Sequence, residues 1–293
     1  MWLKRLMLGM GLALSATACS DAPGGDGARP SPMLYEIADT EGQPVGWMFG
    51  TIHSLPAGTQ WRTPALEHVM ERAGVLVVEI AALDDQAALR QTFSDLATTP
   101  AQPDIGMRVP SSSRPALFNL IEKSGLSASD FGATETWAAA LILAQVDDDG
   151  GAANGADRAL LRDFANRQVR EFEGAEKQLG IFDTLPEGEQ RDMLMAVVEE
   201  ADQHNKDTEK LRHAWLAGDA EVLEDATQKG LLADPELRAA LLIGRNTDWL
   251  QQLLPMLEAG DRPLVAVGTA HLIGPDGLAA MLEARGYSVK RLQ

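Results

Sequence analysis

A short pattern that occurs near both ends of the chain constrains the fold more than any other feature. Gly-Thr-Ile-His at residues 50–53 and Gly-Thr-Ala-His at residues 268–271 each follow a run of apolar residues. Each therefore has the pattern of a buried strand that ends in Gly-Thr-x-His, where the glycine permits a close approach of another backbone or a ligand. Ligands of open α/β sheets bind outside the carboxyl ends of the strands. We therefore predict that His53 and His271 contribute to one composite site.

The residues after each motif repeat the same plan. A helix that is closed by Gly74 in a left-handed conformation, followed by a strand at 75–80, is matched by a helix that is closed by Gly286 and a strand at 287–292. These patterns predict an α/β fold with a central mixed sheet. The sheet would be built from two related strand-GTxH-helix-strand units, with both histidines at the same edge.

The middle of the chain, about residues 84–257, is predicted to be a large helical insertion that caps the sheet and contains one short strand at 169–173. Trp137 is expected in its core. The predicted helices span residues 84–96, 112–123, 134–146, 157–166, 187–204, 205–216, 220–229 and 235–257. The folded domain is predicted to cover residues 33–293.

The first 19 residues have the features of a targeting segment. Lys4 and Arg5 precede an apolar run at 6–14 that is too short to span a membrane, and small residues at 16–18 precede Cys19. This arrangement resembles a bacterial lipoprotein signal, with lipidation of Cys19 and a flexible linker at 20–32. We expect a lipid-anchored protein of the bacterial cell envelope that faces the periplasm, with the outer membrane favoured. Plain secretion with an incidental cysteine is the alternative.

Charge and cysteine content exclude some classes of function. The formal net charge of −18 argues against nucleic-acid binding, which needs a basic surface. Cys19 is the only cysteine, so the domain has no internal disulfide. The sequence leaves the oligomeric state open.

One carboxylate stands out inside an apolar strand. Glu79 follows Val-Leu-Val-Val, and burying its charge costs several kcal/mol unless it is paired or bound to a metal. Together with His53 and His271 it could form a His/His/carboxylate metal site, a ligand set that suits zinc, manganese or iron. The alternative is a metal-free pair of acid/base histidines that works with Glu79.

Arg245 and Asn246 lie on a predicted helix. Arg245 could stabilise an oxyanion or bind a substrate carboxylate. The alternative is a surface arginine that pairs with Asp248. Three further polar residues surround the short internal strand: Asp157, Glu173 and Gln178. For Glu173, a solvated strand end is the expected position.

Taken in order, six segments resemble the TraB/GumN family over about residues 34–292. The segments are GTIHSLP, VLVVEI, GADRALL, EFEGAEKQLGIFDTLP, GRNTDWL and VAVGTAHLIGPDGLAAMLEARGYSV. This family includes the animal Tiki Wnt-cleaving proteases and a bacterial pheromone-shutdown protein. The resemblance implies that His53 and His271 are the paired histidines, Glu79 the acidic residue and Arg245 the arginine. It also implies a core similar to the erythromycin-esterase and ChaN-like folds and, for the Tiki branch, metal-dependent peptide hydrolysis.

Residues and resemblance together favour a metal-dependent, peptidase-like hydrolase. His53, Glu79 and His271 would hold a divalent ion such as manganese, cobalt or zinc, and Arg245 would stabilise developing negative charge. The substrate would be a peptide or another small molecule. Two alternatives stay open: a non-catalytic module that binds peptide, haem or metal, and a metal-free esterase-type hydrolase with a histidine base. A separation of the two histidines beyond about 10 Å would exclude a shared ion.

Overall fold

A six-stranded mixed sheet forms the centre of the molecule. The computed structural model describes residues 29–146, 151–201 and 204–293; the predicted signal segment, Cys19 and most of the predicted linker lie outside these residues. The strands are β1 (Leu34–Ala38), β2 (Pro44–Thr51), β3 (Val75–Val78), β4 (Val169–Glu171), β5 (Pro263–Gly268) and β6 (Ser288–Arg291). Their order is β4-β3-β5-β2-β1-β6, and only β1 runs antiparallel to its neighbours. The predicted α/β class with a mixed sheet is confirmed.

The two motif-bearing strands are direct neighbours. β2 and β5 pair in parallel, with Thr51 opposite Gly268. β3 pairs with β5 on the other side and is buried along its whole length. An apolar strand that is covered on both faces is typical of the interior of a parallel sheet. The two related units therefore pair into one sheet, as the repeated pattern predicts.

Twelve α-helices are found among the described residues. They are α1 (Pro64–Arg72), α2 (Gln86–Ala97), α3 (Arg114–Lys123), α4 (Thr136–Ala144), α5 (Ala156–Asp163), α6 (Gly174–Asp183), α7 (Glu187–Glu200), α8 (His204–Ala217), α9 (Ala220–Ala226), α10 (Pro235–Arg238), α11 (Gly244–Glu258) and α12 (Leu278–Glu283). In this part of the chain, none of them is long and apolar enough to cross a membrane.

Two helical predictions need correction. The predicted helix at 235–257 is interrupted by a π-helical turn, Ala239–Ile243, which separates α10 from α11. A π turn inserts an extra residue into the helix and changes the direction of the side chains that follow. Helix α6 is missing from the predicted set, because the glycines at 174 and 180 lower the helix propensity of this segment.

Gly74 has another role than the predicted one. It does not have a positive φ, whereas Gly286 has a φ of 90° as expected of a left-handed cap. A Cβ on Gly74 would lie 2.3 Å from the backbone oxygen of Asp261. Gly74 is therefore required for a close contact between the end of α1 and the start of β5.

The buried apolar residues form two clusters. The first surrounds the sheet and includes residues from α1, α5, α8, α11 and α12. The second lies between α2, α3, α4 and α7 and contains Trp137, which is fully buried as predicted. The segment predicted as an insertion thus contributes to both clusters: part of it forms its own core, while α5, β4, α8 and α11 complete the sheet layer.

Candidate active site

The predicted site residues meet at one edge of the sheet. His53 lies two residues beyond β2, Glu79 directly follows β3, and His271 ends the 3-10 turn Thr269–His271 that follows β5. Because β2, β5 and β3 are adjacent and parallel, their carboxyl ends open toward the same side. The fold therefore brings together three side chains that are far apart in sequence.

Gly268 marks the point around which these side chains gather. A Cβ on Gly268 would lie 3.4 Å from Glu79 Oε1, 3.7 Å from His53 Nε2 and 3.7 Å from His271 Cδ2. His53 Nε2 and His271 Cδ2 are therefore separated by at most twice 3.7 Å, or 7.4 Å. That separation is within the limit of about 10 Å set for a composite site. The missing side chain of Gly268 therefore leaves room for about one methyl-sized group between the three residues.

His53 forms a dyad with Asp157. Asp157 stands in the first turn of α5, and Ala156 N donates to Ile52 O over 2.9 Å, which fixes this turn beside the strand end. Asp157 Oδ2 lies 2.8 Å from His53 Nδ1. Since an ionised carboxylate can only accept, Nδ1 carries the proton. The other ring nitrogen, Nε2, is the one that points to the open space at Gly268.

The dyad changes the protonation of His53. Desolvation lowers the pKa of His53, but the hydrogen bond and charge of Asp157, together with the charge of Glu79, outweigh it and raise the pKa to about 9. The ring is otherwise accessible, with 66% of its side-chain surface exposed. His53 is therefore mostly an imidazolium near neutral pH and becomes a base as the pH approaches 9.

His271 has the opposite electrostatic character. Its Nδ1 lies 2.7 Å from Asn246 Oδ1, and Arg245 Nη1 lies 3.1 Å from its Nε2. Because arginine can only donate, Nε2 accepts and Nδ1–H donates to Asn246. Burial and the charge of Arg245 lower the pKa of His271 to about 3, despite the opposing effect of Glu79. The ring packs on Trp249 at a centroid distance of 4.4 Å and is neutral at physiological pH.

Arg245 is the centre of a buried ion-pair network. Its Nη2 donates to Glu79 Oε2 at 2.6 Å and to Glu173 Oε2 at 2.9 Å. The expected solvated position of Glu173 is wrong, because only 1% of its side chain is exposed. The alternative pairing of Arg245 with Asp248 is also wrong; Asp248 pairs with Lys177 at 3.2 Å instead. Both errors arise because Arg245 points inward, toward partners on other elements.

Glu79 is the buried charge that the sequence pattern marks as costly. Its Oε1 accepts a hydrogen bond from Gly268 N over 2.8 Å, and its Oε2 is paired with Arg245. Burial favours the neutral acid, but the charges of Arg245 and His53 and the Gly268 N–H hold the pKa of Glu79 well below its usual range. The carboxylate is thus ionised, paired and held in one orientation.

A cavity of about 230 Å³ opens beside His53 and Glu79. Its wall combines strand ends with residues from α5, α6 and the segment after β3. The lining residues are Thr51, His53, Val78, Glu79, Ile80, Leu83, Asp157, Arg158, Gln178 and Ala266. Arg245 and His271 are not part of this lining; Arg245 contacts it through Glu79. Of the site residues, His53, Glu79 and Asp157 therefore face the cavity.

The predicted metal set does not fit a divalent ion in this arrangement. Both nitrogens of His271 are engaged, and the cation that contacts His271 and Glu79 is Arg245. Among the described residues, the group whose potential ligand atoms all lie within 4.8 Å of one another is a different one, Glu189, Asp234 and Glu236. Acidic groups of this kind are common without a metal, and we assign it no role. The metal set of His53, Glu79 and His271 stays a prediction.

The structure also shows which site residues sequence reasoning underestimated. The sequence assigns no partner to Asp157, Glu173 or Asn246, yet they contact His53, Arg245 and His271 directly. The sequence feature that indicates a role for Asp157 is the glycine at 155, two residues before it, at the start of a helix. A Cβ on Gly155 would lie 2.4 Å from His53 O, so a side chain at this position would force α5 away from the strand end.

Comparison with known families agrees with the repeated motifs and their position at the sheet edge. No curated protein and no solved structure was found to match the chain. The model of the TraB/PrgY/gumN family matches residues 33–291, which is nearly all of the folded part. The match contains every residue of the site described above. The chain therefore belongs to the TraB/PrgY/gumN family.

Proposed function

We propose that this protein is a hydrolase that uses the His53–Asp157 dyad for acid/base catalysis in the cavity beside Gly268. The observation that supports this most directly is the 2.8 Å contact between His53 Nδ1 and Asp157, which leaves Nε2 directed at the open space at Gly268. A histidine oriented by a carboxylate, with its second nitrogen free, is the usual arrangement of a general base. The substrate would be a peptide or a small molecule with an acyl group.

The reaction follows from the protonation states. Neutral His53 takes a proton from water through Nε2 while the water oxygen attacks the carbonyl carbon. The resulting imidazolium, stabilised by the charges of Asp157 and Glu79, then gives this proton to the leaving group as the acyl bond breaks. Water is consumed, and an acid and a protonated leaving group are released. Arg245 and the Gly268 N–H fix the position of Glu79, and Arg245 balances its charge.

This proposal can be tested with the purified full chain, a panel of peptides and acyl esters, and a chelator in excess. We expect hydrolysis that survives chelation and is lost in His53→Ala. His68→Ala, which removes an exposed histidine on α1, is the matched control and should be fully active. Activity that survives in His53→Ala, or no hydrolysis of any panel member, would contradict the proposal.

A second candidate is the metal-dependent peptidase that the resemblance implies. In its favour, His53 Nε2 and Glu79 Oε1 both lie near the same point above Gly268, with the His271 ring beside them. An ion held by all three residues would require Arg245 to leave His271. Loss of activity on chelation, with recovery on addition of manganese, cobalt or zinc, would favour this candidate over the metal-free one.

We also propose that Cys19 is lipidated and anchors the domain in the bacterial envelope, facing the periplasm. The support is the sequence of residues 1–19 alone. Labelling of cells with radioactive palmitate should mark the wild-type chain, and Cys19→Ser should abolish both the label and the membrane association. An unlabelled wild type would favour simple secretion.

A further inference from the structure

One cation in the wall of the active-site cavity has hydrogen-bond donors that no other residue uses. Arg158, on α5, lines the cavity that also contains His53 and Glu79. Its Nη1 donates to Leu83 O and, over 3.1 Å, to Asp84 Oδ1. Among the residues that the structure describes, Nε and Nη2 of Arg158 have no hydrogen-bond partner. One edge of the guanidinium group is therefore free.

This free edge of Arg158 is accessible to a ligand. The side chain keeps 18% of its surface exposed. In the described part of the chain, the buried polar atoms without a partner belong to other residues, so solvent reaches Nε and Nη2. The contact of Nη1 with Leu83 O holds the guanidinium group at the cavity wall, because Leu83 is itself part of the lining. The free donors are thus both exposed and held in place.

The charge of Arg158 is less well balanced than the other charges of the cavity. Glu79 is already paired in the buried ion-pair network, and the two members of the dyad pair with each other. Arg158 has only Asp84, whose side chain is 64% exposed, so solvent screens this pair. The chain as a whole carries a formal net charge of −18. An anionic ligand therefore needs a cation close to its binding position, and Arg158 supplies one.

We propose that Arg158 binds a carboxylate of the substrate, with Nε and Nη2 each donating to one carboxylate oxygen. The planar guanidinium fork matches a carboxylate in this bidentate arrangement. A phosphate monoester would bring about two negative charges close to Glu79 and Asp84, which disfavours it. Because Asp157 and Arg158 are consecutive residues, the bound carboxylate would lie near the group that reacts with His53. The identity of the reacting group rests on the proposed function, whereas binding of the carboxylate can be measured without turnover.

The test compares ligands with and without a free carboxylate. Binding of N-acetyl amino acids and N-acetyl dipeptides to the full chain is measured by calorimetry, each as the free acid and as the primary amide. We expect the free acids to bind about tenfold more tightly than the matched amides, the effect of charge-assisted hydrogen bonds. Arg158→Met should remove this preference. Arg158→Lys, which keeps the charge but not the fork, should retain part of it.

Two further variants separate carboxylate binding from a structural role of Arg158. Asp84→Asn removes the exposed charge beside Nη1 and leaves the free edge intact. It should bind the acids at least as tightly as wild type, because the charge of Arg158 is then less balanced. If Arg158 only held the segment after β3 through its ion pair, Asp84→Asn would weaken binding as Arg158→Met does. Arg162→Met removes an exposed arginine of the same helix outside the cavity and should bind like wild type.

Four results would overturn the inference. They are equal binding of acids and amides by wild type, binding of neither, weaker binding of the acids in Asp84→Asn, and a preference for acids that survives in Arg158→Met. The last result would assign the anion to the His53 imidazolium instead. Hydrolysis is followed in the same samples. A preference for acids without hydrolysis would contradict the proposed function alone, whereas hydrolysis without this preference would contradict only the role of Arg158.

Discussion

Replacement of Asp157 by asparagine gives the most direct test of the His53 dyad. The substitution keeps the size of the side chain but removes the charge that lies 2.8 Å from His53 Nδ1. That hydrogen bond and charge are the main effects that raise the pKa of His53 to about 9, against the desolvation that lowers it. Asp157→Asn should therefore lower the pKa of His53 toward its ordinary value.

The size of the effect follows from the two pKa values. With a pKa of about 9, only ~1% of His53 is neutral at pH 7. With an ordinary pKa of about 6.5, roughly three quarters would be neutral at that pH. The charge of Glu79 remains in the variant, so the expected pKa lies between these two values. The pH at which the hydrolysis rate rises should move down with it.

The rate itself should fall even though more of the base is neutral. An asparagine at 157 can donate its amide N–H to Nδ1, which favours the tautomer with the proton on Nε2, the nitrogen that must accept the proton from water. We expect kcat to fall at least tenfold at the pH optimum. A faster enzyme at neutral pH would show that the tautomer does not matter.

The assay is a titration of the histidine ring signals by NMR, with His53 assigned from the spectrum of His53→Ala. Asp163→Asn is the matched control, because it removes the same charge from the same helix, where Asp163 pairs with Arg62 instead. The control should leave the pKa of His53 unchanged. A wild-type pKa at or below 6.5, or an equal pKa in wild type and Asp157→Asn, would refute the reasoning.

Three further predictions concern the residues behind the dyad. Gly268→Ala should abolish measurable hydrolysis while changing the free energy of unfolding by less than about 1 kcal/mol. Gly50→Ala should lower the free energy of unfolding by about 1–3 kcal/mol, because the added methyl group overpacks the contact with Thr269. Urea unfolding and a hydrolysis assay of both variants measure these effects. Unfolded His271 takes up a proton below its ordinary pKa of 6.5, but the folded residue does so only near 3, so stability should decrease as the pH falls through this window. His271→Gln should reduce that slope by up to about 1.4 kcal/mol per pH unit in urea titrations; an unchanged slope would contradict the buried neutral ring. Arg245→Met should lower the free energy of unfolding by about 3–5 kcal/mol, and adding Glu173→Gln should restore part of it, because one unpaired buried charge is removed. A double variant no more stable than the single one would contradict the ion-pair network.

The features that could be predicted from the sequence depend on local residue patterns and on the free-energy cost of burying a charged side chain. Apolar runs that end in Gly-Thr-x-His indicate parallel strands, and these strands do lie side by side. The position of Glu79 in an apolar run indicates a charge that needs a partner, and it has one in Arg245. The prediction of a shared site at the sheet edge needs only these two rules and the topology of parallel sheets.

The contacts that could not be predicted from the sequence join residues that are far apart in the chain. Arg245 and Glu79 are separated by 166 positions, and Arg245 and Glu173 by 72. Helical periodicity reports which residues share a face, but the π turn before α11 changes the direction of that face. Arg245 could therefore be placed on a helix from the sequence, whereas its partners could not. The same holds for Asp157, which meets His53 only because α5 packs against the end of β2.

The two Gly-Thr-x-His motifs explain why a repeated plan produces one site and not two. A Cβ on Gly50 would lie 2.7 Å from Thr269 Oγ1, so the first glycine is needed to admit the threonine of the second motif. That threonine donates from Oγ1 to Thr51 O over 3.0 Å and joins the two strand ends. A Cβ on Gly268, in contrast, would meet only ordinary contacts, at 3.4 Å or more, with the functional side chains. Equivalent glycines thus serve packing in one unit and leave room for one methyl-sized group between the candidate site residues in the other. Since Glu79 belongs to the first unit only, both histidines lie near a single carboxylate, and His53 alone of the two lines the cavity.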